Sequence, residues 1–425
     1  MEDAQSLSRE EIIKSYRPRV IDSLLNKVLK IFGGVLITGP MWCGKTWTGE
    51  YHAKSSISIR NDEIVEYASL NPEIVMKGDQ PRLIDEWQEV PKLWDYARGI
   101  IDSSVSRGRF IFTGSSLPSK KKAPLHSGAG RFIDIRMRPM SLFESGNSSG
   151  EVKLTDLFNG SKYESVQSKM DVPIAMRHVC RGGWPVGIGL EDSDAMMISG
   201  AYVDHCLKKD YSKIDGKRRS PATMRSIMES LSRNCATMVK KSVIAADISR
   251  DGEPIKEETV ETYLAALRGT FVLDEQRSWV PEIKTKARIR GPVKYHFADP
   301  SIAAAILNLT PERLVRNPKV GGFFFESLCY RDLSVYASAI RGEVMHYKDN
   351  TLEVDSVVEL SDGRWGGIEI KQGRHDFDEA AENLLRLKER VVSEPSFLAI
   401  LTATGWTAYT RDDGVHVIPL DCLGP

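Results

Sequence analysis

The 425-residue sequence has no run of about 18 consecutive apolar residues, the least that a membrane-spanning helix needs. Its six cysteines (Cys43, Cys180, Cys206, Cys235, Cys329 and Cys422) form no C-x-x-C pair. None of the eight histidines stands at H-x3-H spacing beside a cysteine pair. A zinc site and a disulfide framework are therefore not expected, and a reducing, cytoplasmic setting suits the thiols best. The opening Met1-Glu2-Asp3-Ala4 is polar and acidic, so no secretory leader is expected. Neither charge is in excess, because 58 Lys+Arg balance 58 Asp+Glu. That balance withholds the strongest compositional hint of a nucleic-acid partner, although it leaves room for a local basic face. There is no internal repeat.

What is present is the composition of a globular protein, 41% hydrophobic and 27% charged, in a chain too long for one ordinary core. Short apolar runs at residues 31–37, 56–59, 81–85, 110–113 and 132–136 alternate with helical stretches, notably 94–105. That alternation predicts a parallel α/β sheet covered on both faces. The first run leads into Gly39-Pro40-Met41-Trp42-Cys43-Gly44-Lys45-Thr46, which matches G-x-x-x-x-G-K-[ST]. Glycines let this backbone curl until successive N–H groups point at phosphate oxygens, and the following helix adds its positive end. Lys45 would reach the β- and γ-phosphates of ATP, and the Thr46 hydroxyl would coordinate Mg2+. Forty residues on, Leu83-Ile84-Asp85-Glu86 ends the third run in two acids. Asp85 is expected to hold Mg2+ and Glu86 to polarise the attacking water. Thr113-Gly114-Ser115-Ser116 closes the fourth run, where Ser115 can orient that water; an ordinary Gly-Ser turn is the alternative. Arg131 is read either as an arginine finger, for its own subunit or a neighbour's, or as an ordinary surface arginine.

Pro18-Arg19, the phosphate loop, Asp85-Glu86, Thr113–Ser116 and Gly128-Ala129-Gly130-Arg131 together resemble one AAA-type ATPase family. It is widespread in bacteria and archaea and usually fused to a C-terminal domain of unknown function. Gly182-Gly183-Trp184-Pro185 and the acid of Phe325-Glu326 sit where that fusion would have them. The resemblance implies an additional-strand P-loop NTPase core, a small helical lid, a winged helix and a nuclease-like end domain. The corresponding segments are 1–147, 148–215, 216–310 and 311–425, the first boundary being the Ser/Gly-rich linker Ser145–Gly150.

In the last segment, Glu353-Val354-Asp355 and Glu369-Ile370-Lys371 lie on two predicted strands joined through Ser361-Asp362-Gly363. Alternate strand residues share a face, so Glu369 and Lys371 point together and Asp355 can meet them across the hairpin. This order, with Glu326 on the preceding helix, resembles the PD-(D/E)XK restriction-endonuclease-like arrangement; Val354 replaces its usual proline. Asp355 and Glu369 are expected to share Mg2+, with Lys371 activating water at a phosphodiester. A charged strand edge and a catalytically silent nuclease relative are the alternatives.

Upstream, three short predicted helices followed by strands at 271–273, 283–290 and 293–297 give the order of a winged helix. Its candidate recognition helix carries Glu257, Glu258 and Glu261, which would repel phosphates. Lys284, Lys286, Arg288 and Arg290 share one face of the candidate wing, and Lys217-Arg218-Arg219 is a second basic cluster; both also fit a solvated face. The expected protein is an ATP-hydrolysing chain whose nucleotide state controls a metal-dependent nuclease-like module on DNA or RNA. The rival is an ATP-gated switch or scaffold with a silent module. No membrane partner is expected, and a homo-oligomer is compatible with Arg131 serving a neighbour.

Overall fold

Five apolar runs become five parallel strands: β1 (Gly34–Thr38), β2 (Ser55–Ser58), β3 (Arg82–Asp85), β4 (Phe110–Gly114) and β5 (Phe132–Arg136). They appear in a computed structural model that describes residues 9–118, 128–161, 163, 165–209, 211, 216–248, 255–281 and 291–425. The sheet order is β2-β3-β4-β1-β5, so β4 is inserted between β1 and β3. Residues in β1, β3 and β4 are buried along their whole length, as continuous apolar runs require when both faces are covered. Alternation along β1 sends Val35 and Ile37 into one core with Leu25 and Ile111. Leu36 goes to the other, beneath Trp87, Trp94, Phe112 and Phe132. In that second core Trp94 and Phe132 stack with centroids 4.0 Å apart. A parallel sheet collects all its C-terminal strand ends at one edge, where the connecting loops can meet a ligand.

The chain divides into two units. The first comprises described residues within 1–138, 210–218 and 269–272, and the second takes the rest from Pro139 onward. These units cut across the four segments expected from sequence, since 139–147 falls in the second unit and 269–272 in the first. In the second unit the helices Pro221–Arg233, Lys241–Asp247 and Glu257–Gly269 precede an antiparallel pair, β8 (Leu273–Gln276) and β9 (Lys294–Phe297). The intermediate strand expected at 283–290 lies outside the described residues, and with it the four basic residues of the candidate wing.

Two short strands occur before this pair in the chain, β6 (Val152–Lys153) and β7 (Val166–Gln167). After it come β10 (Gly342–Lys348), β11 (Glu353–Leu360), β12 (Trp365–Lys371), β13 (Phe397–Thr402), β14 (Thr407–Thr410), β15 (His416–Pro419) and β16 (Leu423–Gly424). A seven-stranded mixed sheet follows the order β10-β11-β12-β13-β15-β14-β7. The helices Pro318–Ala339 and Phe377–Arg390 accompany it, the latter burying Leu384 and Leu387 against Val357, Trp365 and Ile400.

The Ser/Gly-rich stretch 145–150 is a correction to the sequence reading, because it is packed and hydrogen-bonded. Ser149 N donates to the Asp421 carbonyl (2.8 Å) and the Ser148 hydroxyl to the Leu423 carbonyl (2.6 Å). Here small residues serve close approach to the chain's end, where β6 pairs with β16. Composition alone cannot separate that use from flexibility.

Candidate functional site

The loop Gly39–Thr46 leaves the C-terminal end of β1 and turns directly into the helix Lys45–His52. Gly44 enters that helix at φ 97°, a left-handed conformation that a side chain would strain. The first N–H groups of the helix have no intrahelical acceptor and are free to meet an anion. Lys45 is buried, and its Nζ donates to the Pro40 carbonyl at 2.7 Å. The buried Arg19 holds the loop from behind, with Nη1 donating to the Cys43 carbonyl and Nη2 to the Arg138 carbonyl, each at 2.8 Å. That bridge fixes the loop's curvature without using a phosphate.

Asp85 ends β3 in register with Ser58 of β2 and Thr113 of β4, and those neighbours supply its partners. Its Oδ1 accepts from Thr46 Oγ1 (2.9 Å) and Thr113 Oγ1 (2.6 Å). Its Oδ2 accepts from Ser58 Oγ (2.8 Å) and Arg60 Nη2 (2.6 Å). The acceptor sites of a buried carboxylate are thereby used in a fixed orientation. Glu86 follows at φ 56°, an uncommon conformation for a non-glycine residue and one that turns its side chain off the strand line. Its Oε2 accepts from Ser115 Oγ (3.0 Å) and from Gln88 Nε2. Ser115 thus acts on Glu86. Thr46 and Asp85 stand side by side with oxygen donors suited to Mg2+ and its water shell, so this pair fits the ion that the loop's chemistry implies.

For Arg131 the geometry bears on one of the expected readings, the finger for its own subunit. Arg131 directly precedes β5, whose first residue pairs with Gly34, at the start of β1. The phosphate loop leaves the other end of β1, about 13 Å away at roughly 3.3 Å per residue. Its Nε donates to Asp102 at 2.7 Å and its Nη1 to the Ala129 carbonyl at 3.1 Å. The structure therefore does not bring Arg131 to its own phosphate loop. The cation it does bring is Arg60, which also donates to Thr46 Oγ1 at 3.0 Å.

The C-terminal residues meet as the hairpin pattern required. Asp355 on β11 accepts from the Ile370 N–H of β12 at 2.8 Å. Lys371 Nζ lies 2.6 Å from Glu369 Oε2 and 3.7 Å from Asp355 Oδ2. Glu326 arrives from the helix Pro318–Ala339. Unforeseen is Lys294 of β9, whose Nζ stands 2.8 Å from Glu326, 3.2 Å from Glu353 and 3.7 Å from Asp355, with its side chain 2% exposed.

The charges settle accordingly. Burial pushes the Glu326 carboxyl up to about 7 despite Lys294. Burial, and then the neighbouring Asp355, raise Glu369 well above the usual carboxylate range. Asp355 is held low, because Lys294 and Lys371 outweigh its burial. Both lysines keep their protons more tightly than usual, their acidic neighbours overcoming burial. Two ammonium groups already sit among these four carboxylates, so the cluster as it stands does not fit the Mg2+ expected at Asp355 and Glu369. A divalent ion about 4 Å from a lysine would meet about 8 kcal/mol of repulsion, twice the unit-pair value at an effective dielectric near 20, set against its attraction to the carboxylates that the lysines already hold. Among the described residues no group of three or more His, Cys, Asp and Glu is arranged to hold a metal.

The candidate nucleic-acid groups are partly committed elsewhere. Arg219 donates to the Thr262 carbonyl (2.8 Å) and lies over the Tyr263 ring, while Glu261 pairs with Lys241 (2.7 Å) and Arg268. Sequence reasoning missed Ser58, Arg60, Gln88 and Lys294. For Lys294 a signal existed, since a lysine in the apolar strand Val293–Phe297 must find acids if that strand is buried.

Residues 32–145 match the family model described as an AAA domain. Residues 174–313 and 321–423 match two models described as domains of unknown function (DUF8612 and DUF4143). The uncharacterized proteins Rv2008c of Mycobacterium tuberculosis and Mb2031c of Mycobacterium bovis are each 26% identical over 350 residues, covering 80% of this chain and 70% of theirs. Among solved structures, the Walker-type ATPase PABY2304 of Pyrococcus abyssi is 13% identical with a TM-score of 0.42, covering 69% of this chain and 97% of its own. The FIGL-1 AAA domain in complex with ADP is 13% identical with a TM-score of 0.22, covering 62% and 91%. The N-terminal region is an AAA-type P-loop ATPase domain, fused to domains of unknown function. Among the described residues no helix is long and apolar enough to cross a membrane.

Proposed function

We propose that this protein is an ATP-hydrolysing switch whose C-terminal module is nuclease-like in fold, recognises DNA or RNA, and does not cut it. Hydrolysis is supported by the separate settings of two adjacent acids. Asp85 is held rigidly among hydroxyls beside Thr46, while Glu86 is turned away and steadied by Ser115 and Gln88. Lys45 exchanges its Pro40 carbonyl for phosphate oxygens when ATP enters, and the loop N–H groups take the rest of the phosphate. Thr46 and Asp85 would hold Mg2+, which neutralises phosphate charge. Glu86 accepts the proton side of the attacking water and aims it at the γ-phosphorus.

The single observation behind the silent module is the Lys294 ammonium among Glu326, Glu353 and Asp355. The reading as an active nuclease retains one favourable observation, the meeting of Asp355, Glu369 and Lys371. Incubating plasmid and single-stranded RNA with the full chain and Mg2+ or Mn2+, with and without ATP, decides between them. The expected result is ATP turnover without cleavage, and nucleotide-dependent thermal stabilisation that disappears in Lys45→Ala. Cleavage that Asp355→Ala abolishes would establish the nuclease instead. Stabilisation by ATP that persists in Lys45→Ala would refute the phosphate-loop assignment.

A further inference from the structure

The motif Gly182-Gly183-Trp184-Pro185 has no role in either cluster, and it builds the wall of a separate cavity in the second unit. The cavity measures about 260 Å3 and lies between the 140–147 segment, the end of the helix Val172–Arg181, the turn that follows it, and the helix Pro318–Ala339. The turn is fixed on two sides. Gly183 N donates to Asp299 Oδ2 at 2.9 Å, and its carbonyl accepts from Met140 N at 2.6 Å. A Cβ at residue 183 would stand 2.0 Å from the Met140 carbonyl oxygen, so only glycine permits this approach. Trp184 Nε1 is anchored to Ser199 and Ser301, each at 3.1 Å.

The ionisable side chains on the wall are His178, Arg181 and Arg331, and no carboxylate lines it. The acids that balance the arginines, Asp192, Asp299 and Asp332, are not part of the lining. Two buried nitrogens have donor capacity left over. Arg331 Nη2 lies 2.7 Å from Asp332 Oδ1 yet makes no directed hydrogen bond, and His178 Nδ1 has no partner. Arg331 is 1% exposed, so its guanidinium is positioned by the fold rather than by solvent. Burial first, and then the charges of Arg181, Arg331 and Arg177, press the His178 imidazolium down to about 3, so the ring is neutral.

We propose that this cavity is a binding site for a small oxyanion, the phosphate or carboxylate group of a metabolite. Arg181 and Arg331 supply the cationic N–H groups and His178 Nδ1–H a neutral donor. Its volume is just below the range of about 300–1,000 Å3 usual for ligand pockets, which admits a phosphate or a short organic acid and excludes a whole nucleotide. Bound charge would bear on Arg331 and hence on the helix that carries Glu326. The site stands independently of what the carboxylate cluster does.

The test uses the full chain carrying Lys45→Ala, so that the phosphate loop contributes no anion binding. Inorganic phosphate and succinate are titrated separately at constant ionic strength, with heat and the His178 ring resonances as readouts. Saturable binding of either probe that shifts the His178 signals is expected, and Arg181→Gln should weaken it at least about tenfold. Arg181→Lys, which keeps charge and loses the fork, should weaken it less and guards against a glutamine variant that fails to fold. A response to phosphate alone assigns a phosphate ester, and one to succinate alone a carboxylate. Neither probe binding saturably, or binding unchanged in both Arg181 variants, would overturn the proposal.

Discussion

Asp85 and Asp355 have similar partners and opposite circumstances. Each is a strand aspartate beside a second acid and within reach of a cation. The cation at Asp85 is Arg60, whose side chain is 58% exposed, and Lys45 nearby is held by a backbone carbonyl. Asp355 and its neighbours have two cations, Lys371 at 24% exposure and Lys294, sealed at 2%. Releasing an exposed partner costs about 1 kcal/mol or less, whereas removing one member of a buried pair costs about 3–5 kcal/mol. Where the countercharge sits relative to water thus decides whether an acidic site stands ready for a ligand or is already filled. On the proposed reading the first arrangement exchanges its internal cations for Mg2+ and phosphate, and the second keeps its countercharge within the fold.

The largest expected effect tests the open side of this comparison. Glu86→Gln keeps the shape and the Ser115 contact but removes the base, so steady-state ATP turnover should fall about 10²–10⁴-fold. ATP-dependent thermal stabilisation should remain. Turnover within tenfold of the parent would remove Glu86 from the chemistry. On the closed side, Lys294→Met should cost the second unit about 3–5 kcal/mol, read from its own transition in denaturant. The same variant should gain a stabilisation by Mn2+ that the parent lacks. Equal stabilisation of the parent would break the comparison, because Lys294 would then not be what keeps metal out.

His346 on β10 offers a smaller and more local reading of the same charge. Its imidazolium is pressed down to about 4, by burial first and then by Lys294. A depressed histidine contributes stability that is fully present above its unfolded value near 6.5 and lost as pH falls through about 4. Across that window the second unit should lose about 3 kcal/mol from this residue. His346→Gln, which can still donate to the Pro292 carbonyl, should flatten that part of the profile. In Lys294→Met the His346 ring should titrate at higher pH by NMR; an unmoved value would mean that the two charges do not communicate.

Much of this was legible in the sequence because it rests on local periodicity. The five parallel strands and the β11–β12 hairpin follow from apolar runs and alternation, and Gly39–Thr46 follows from spacing. Asp355, Glu369 and Lys371 met for the same reason, since a hairpin converts sequence order into contact. The partners of Arg60 and Lys294 were not legible, because they come from other elements and their meeting is a tertiary outcome. Stretch 145–150 misled for a related reason. Serine and glycine mark both flexible chain and tight packing, and only the arrival of β16 distinguishes them.

Arg131 gives the smallest expected effect and tests whether the open site is complete within one chain. It lies at the N-terminal edge of the sheet, paired with Asp102, and the phosphate loop is at the C-terminal edge. An exposed pair of this kind contributes about 1 kcal/mol or less. Arg131→Ala should therefore melt close to the parent, and turnover should stay within about twofold, since an arginine finger would be worth about 10³-fold or more. A large loss of turnover would raise the reading that Arg131 serves the nucleotide of a neighbouring copy. Mixing the Arg131→Ala and Lys45→Ala chains would then restore activity, because the Arg131→Ala copy supplies an intact loop and the Lys45→Ala copy an intact arginine. A loss with no restoration on mixing would instead trace to the local fold around Asp102.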